Sequence, residues 1–207
     1  VLFTEDHEEV WDGDRPTLST VTYRSPDDTI IARKTVTYGG DPCIPGFELV
    51  DLRDGYKEGA ALVDDGVELF CRKSQDEPLR HKRLDLPRDA AMDEGSLHFV
   101  QRHWDELAAG RTVKLHFAVP YRQEFFAFRI VPEEPQPLAA LPPGGPPTLG
   151  FRLEVASRLL RFLVDPVHLI YDPTTRRLLH FAGITALNDE DGHSHRARIL
   201  FEYPAGS

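Results

Sequence analysis

Histidine, cysteine and carboxylate side chains are where this chain can do metal or nucleophilic chemistry, and their spacing decides which can act together. His98 and His103 lie five residues apart in a segment with helical spacing. At 3.6 residues per turn that puts them about 140° apart around the axis, so they cannot share one ion. His7 is followed by Glu8, but Trp11 stands where the helical zinc-protease pattern needs its second histidine. His193 and His195 are more suggestive. Two residues apart on a strand means one face, and their parity matches Ala197, Ile199 and Phe201. With Asp189 and Asp191 just ahead, they form a candidate metal site for a hydrolase. The competing reading of residues 188–192, Asn-Asp-Glu-Asp-Gly, is a polar hairpin turn. The same stretch lacks the twelve-residue loop and closing glutamate of a calcium site.

Nucleophilic chemistry finds less support. There is no Gly-x-Ser-x-Gly elbow, no phosphate-cradling glycine loop and no dinucleotide fingerprint. Cys43 sits between Asp41-Pro42 and Ile44-Pro45 with nothing adjacent to activate a thiol. Cys71 alternates with Val67 and Leu69 and reads as a small buried hydrophobe. The two cysteines permit one disulfide in an oxidising compartment without requiring it. No catalytic residue, metal ligand or cofactor is therefore assigned from the sequence.

The elements that must position these side chains are mostly strands. Over the first 86 residues, segments rich in β-branched and aromatic residues alternate with turn clusters such as Ser25-Pro26-Asp27-Asp28 and Asp54-Gly55, which spells a meander of hairpins. The strands expected are 17–24, 29–38, 47–53, 56–63, 67–73 and 79–86. Arg80-His81-Lys82-Arg83 reads as a solvated edge strand, because edge cations deter sheet-to-sheet association. Leu97, Val100, Trp104 and Leu107 then fall at helical spacing, with Gly110 placed for a left-handed cap and Asp93 or Ser96 for the N-cap, so one main helix is expected over about 96–109. Val113, Leu115, Phe117 and Val119 alternate as a half-buried strand, and Phe126, Phe128 and Ile130 share one face of the next. Residues 132–148 hold seven prolines and two glycines among seventeen positions, which reads as a loop inserted into a single domain spanning 1–207. Strands return at 151–156, 167–171, 177–182 and 195–203, with a helical turn near 157–163.

About a dozen strands to one helix is not the alternating pattern of nucleotide-binding α/β folds. The expectation is a mainly β (α+β) chain: a strongly curved antiparallel sheet, an open half-barrel, packed around the helix. Its concave apolar face would exceed what one helix covers. A formal net charge of -10 argues against a nucleic-acid or anionic-membrane partner. No apolar run reaches the roughly 18 residues needed to span a bilayer as a helix.

The helix followed directly by 111–120, together with Leu169-Ile170-Tyr171-Asp172-Pro173-Thr174-Thr175-Arg176-Arg177-Leu178-Leu179 and Phe181-Ala182-Gly183-Ile184, resembles uncharacterised bacterial exported proteins. These in turn are similar in layout to the lipoprotein-localisation-factor superfamily, half-barrels closed by helices that hold acyl chains. The resemblance implies a periplasmic protein made with a signal peptide; the alternative is a cytoplasmic one. It carries no functional residue across. The expected function is a non-catalytic binding protein for a lipid or other hydrophobic ligand, with Phe117, Phe126, Phe128 and Phe201 lining the concave face. The alternatives are a metal-dependent hydrolase using His193 and His195, and an envelope scaffold that recognises a protein through a sheet edge or the proline loop.

Overall fold

The computed structural model describes residues 1–64, 66–135, 147–162, 164–189 and 194–204. The chain is mainly β, and its described residues form fourteen strands in two seven-stranded sheets. Sheet 1 is the hairpin meander: β1 (Thr4–Asp12), β2 (Arg15–Arg24), β3 (Ile30–Thr37), β4 (Gly46–Asp51), β5 (Lys57–Val63), β6 (Gly66–Arg72) and β7 (Arg80–Leu84) lie side by side in chain order. Each neighbouring pair is antiparallel, as short turns between alternating segments dictate. The basic strand β7 is the exposed edge read from its composition.

Sheet 2 takes the rest: β8 (Ala90–Ala91), β9 (Val113–Val119), β10 (Glu124–Glu133), β11 (Leu149–Val155), β12 (Val167–Tyr171), β13 (Leu178–Asn188) and β14 (Ser194–Leu200). They too run in chain order, and β8 with β9 forms the one parallel pair among those described. By internal contacts the chain forms two compact units, residues 1–99 with 116–126, and residues 100–115 with 127–207.

In the first unit Val36, Phe47, Ala60, Val67, Leu69, Met92 and Ala118 form a buried cluster. Their positions on β3 to β6 have the parity of one sheet face, so the period-2 pattern is what assembles this core. In the second, the Trp104 ring meets Phe151 and Tyr171 edge-on, each at 5.7 Å between centroids, and Phe151 lies 5.6 Å from Tyr171. All three are buried. Offset aromatic contacts of this kind add to the burial of large apolar surface.

Three expectations need correction. First, neither sheet is closed or strongly curled, so the half-barrel is not formed. The apolar positions are divided between two sheets, and no single sheet has to wrap around the helix. Second, the helix expected over 96–109 is two short ones, α1 (Gly95–Arg102) and α2 (Trp104–Ala108). The break falls at His103 (φ -100°, ψ 18°), whose carbonyl accepts the backbone N–H groups of both Glu106 and Leu107 while its ring bonds Glu106 at 2.9 Å. The apolar stripe survives the break, with Val100, Trp104 and Leu107 buried, and Gly110 does adopt a left-handed φ of 82°. Third, the proline segment starts later than expected. Pro132 and Glu133 still belong to β10, opposite Phe151 and Gly150, because a proline near a strand end forfeits few ladder bonds. Residues 136–146 of that segment lie outside the described residues.

Candidate functional site

Strand β3 places chemistry on both faces of sheet 1. Its buried positions are Ile31, Ala32, Lys34 and Val36; its exposed ones are Arg33, Thr35 and Thr37. A lysine in the apolar register is unusual, and the ladder shows what surrounds it. Reading straight across the seven strands, the opposed residues are His7, Val21, Lys34, Leu49, Glu58, Cys71 and Arg80. This row carries five polar or ionisable groups, exposed at its His7 and Arg80 ends and buried or half-buried between them.

Lys34 is 8 % exposed. Its Nζ donates to Asp93 Oδ1 at 2.7 Å and lies 3.0 Å from Glu94 Oε1. Burial alone would lower its pKa, but the carboxylates of Asp93 and Glu94 outweigh burial and hold the ammonium well above the usual lysine range. Burial likewise works against the Glu94 carboxylate, and Lys34 overcomes it, so that group stays below its ordinary value. Tyr38 Oη donates to Glu94 Oε2 at 3.3 Å, and His7 approaches the other oxygen at 3.9 Å while bonding Glu5 at 3.0 Å. The segment that supplies the two acids is fixed by its backbone. Met92 N donates to the Cys43 carbonyl, Asp93 takes a left-handed φ of 44°, and Gly95 approaches Cys43 so closely that an added Cβ would sit 2.2 Å from its carbonyl oxygen.

Along the same row, Glu58 accepts a 2.8 Å hydrogen bond from Tyr56 Oη and has its pKa pushed up to about 7, first by burial. Burial also raises Tyr38, Tyr56 and the Cys71 thiol. These shifts hold the phenols and the thiol protonated and Lys34 charged, the forms with least nucleophilic power. Lys34 with Asp93 and Glu94 is a neutralised ion-pair cluster that ties the 92–95 segment to the sheet.

In the second unit Glu154 plays a comparable part. Arg129 Nε, Arg152 Nε and Arg161 Nη1 donate to it at 2.6, 3.0 and 3.2 Å. They hold the carboxyl below its ordinary value against the burial that would raise it.

The outer face of sheet 1 is different. Across β1, β2 and β3 it forms an open groove of about 360 Å³ lined by Glu8, Thr20, Thr22, Arg24, Ile30, Arg33 and Thr35, together with the backbone around Val21 and Lys34. Two ladder rows build it: Glu8, Thr20, Thr35 and Asp6, Thr22, Arg33. Arg24 bonds Asp6 at 3.2 Å and the Asp28 carbonyl at 3.2 Å. Among the described residues, neither Glu8 nor Arg33 has a side-chain hydrogen-bond or ion-pair partner, and the hydroxyls of Thr20, Thr22 and Thr35 have none either.

The residues expected to bind ligand are spread out. Phe117 and Phe126 belong to the first unit, Phe128 and Phe201 to the second, and each is half-buried. Phe128 on β10 and Phe201 just after β14 have the parity of the sheet face that carries Phe151, but they are four strands apart, about 19 Å at ordinary strand spacing. His195 is half-buried on β14, and His193 lies outside the described residues. Among the described residues, no group of three or more histidine, cysteine or acidic side chains is placed to hold a metal ion. Cys43 and Cys71 are both buried and no disulfide joins them.

Sequence reading gave no ion-pair or ligand role to Lys34, Asp93, Glu94, Glu8 or Arg33. Two signals pointed to them: a lysine at the apolar parity of a strand, and threonines repeating every second residue at 20 and 22 and at 35 and 37. The chain matches no known protein family, no curated protein sequence and no solved structure.

Proposed function

We propose that the chain is a non-catalytic binding protein. The observation that supports this most is the contrast between its charged clusters. On the covered face of sheet 1 Lys34 is neutralised by Asp93 and Glu94 and the Cys71 thiol is held protonated, whereas the groove on the outer face offers a guanidinium, a carboxylate and three hydroxyls with no intramolecular partner among the described residues. Groups left unpaired beside a concavity are what a ligand uses for orientation.

A second reading, the hydrophobic ligand expected from the sequence and an envelope location with it, draws on Phe117, Phe126, Phe128 and Phe201, each of which keeps part of its ring uncovered. Native mass spectrometry of protein isolated by mild extraction separates the two. A small polar adduct supports groove binding; an acyl-chain mass supports the hydrophobic ligand. Turnover of ester, phosphoester or glycoside substrates, abolished together with a loss of His195 or Glu58, would overturn the non-catalytic reading.

A further inference from the structure

We propose that the groove on the outer face of sheet 1 is a site for a small zwitterion, of amino-acid size, whose ammonium end is held by Glu8 and whose carboxylate end is held by Arg33. This inference rests on the binding-protein reading and names the ligand class for it.

Glu8 stands on β1 in the row with Thr20 and Thr35; Arg33 stands on β3 in the next row, with Thr22 and Asp6. Two strand spacings across and two residues along put their Cα atoms roughly 12 Å apart. The side chains reach in from opposite corners, and the groove between them is about 360 Å³. That is room for one small molecule and too little for a macromolecular segment with much bulk.

Charge narrows the class. Arg24, the other cation of the groove, is already held by Asp6 and, at 3.5 Å, by Asp28. Arg33 and Glu8 are the uncommitted pair, one of each sign. A simple anion would satisfy Arg33 and be repelled by Glu8; a simple cation would meet the reverse. A molecule carrying both charges is favoured at both ends. The planar guanidinium fork suits a carboxylate, taken bidentately. Thr20, Thr22 and Thr35 lie between the two ends, where each hydroxyl can donate to the carboxylate or accept from the ammonium. Their methyl groups and Ile30 supply the short apolar floor that the carbon chain of such a molecule needs.

Charge-matched titrations test this. γ-Aminobutyrate, butyrate and butylammonium share a four-carbon chain and differ in which charges they carry. Followed by amide shifts of Thr20, Thr22 and Thr35, γ-aminobutyrate should bind roughly tenfold or more tightly than either half-charged analogue. Arg33→Met and Glu8→Gln should each remove about that factor, with Arg33→Met acting on butyrate as well and Glu8→Gln on butylammonium. Both positions are exposed, so circular dichroism should show the variants folded as the parent. Equal binding of all three probes, binding untouched by Arg33→Met, or no shift with any probe because the groove is a solvated sheet face only, would overturn the inference. The binding-protein reading fails separately. An adduct retained on native extraction of both the parent and Arg33→Met means that the chain binds a ligand elsewhere, whereas turnover of a substrate means that it is not a binding protein.

Discussion

Arg33 and Lys34 are neighbours in sequence and opposites in circumstance. One strand step turns Arg33 to the open face of sheet 1, where no side chain among the described residues answers its charge, and turns Lys34 to the covered face, where Asp93 and Glu94 close on it. The lesson is that a charge is structural or available according to what covers it. A cation taken out of water must find its counter-charges within the fold, so Lys34 is committed; a cation left in water need not, so Arg33 is available to something else.

The largest test of this contrast is Lys34→Met. It leaves two carboxylates facing each other in a low-dielectric setting and should cost about 3–5 kcal/mol, measured by urea denaturation. If the loss comes from those stranded charges, adding Asp93→Asn and Glu94→Gln to Lys34→Met should recover more than half of it, because replacing a whole buried ion cluster by neutral groups is far less damaging than breaking it. A triple variant no better than the single one would mean that the lysine stem matters through packing alone.

Acidity gives a smaller effect with a defined sign. Glu58 is raised in the folded chain from 4.5 to about 7, so the native state keeps a proton that the unfolded chain gives up. Its contribution to stability is therefore present below pH 4.5, is lost as pH rises toward 7, and stays flat above that. Glu58 is half-buried, which discounts the effect to about 1–2 kcal/mol. Comparing unfolding free energies at pH 5 and pH 8 should reveal the loss, and Glu58→Gln should flatten that part of the profile. Glu94 works the other way, since its lowered pKa makes its share of stability fall below the ordinary carboxylate range.

The smallest effect is expected on the outer face. Arg33→Ala removes an exposed group with no partner among the described residues and should change stability by less than about 0.5 kcal/mol. If Arg33→Ala destabilised as much as Lys34→Met, the two faces would not differ in the way described.

Much of sheet 1 was legible because hairpin turns and period-2 alternation are local signals: six of its strands fall where Thr17–Arg24 through Leu79–Leu86 alternate, in chain order. The helical stripe was also legible in Val100, Trp104 and Leu107, but not the interruption at His103, which depends on one carbonyl accepting two amides. The Val113, Leu115, Phe117, Val119 alternation failed at its third position: Phe117 is half-buried and Ala118 buried instead. That strand begins in one compact unit and continues in the other, so its apolar parity changes along its length.

The candidate site was less legible for a physical reason. Residue type and parity alone could have placed Thr20, Thr22, Arg33 and Thr35 on a polar face and flagged Lys34 as a cation in a core register. Only long-range pairing made Lys34 a committed charge, because Asp93 and Glu94 lie 59 and 60 residues away. Only the strand register brought Glu8 within two strands of Arg33. Local chemistry decides which way a side chain faces; which partner it finds depends on distant segments, and that the tertiary structure alone decided.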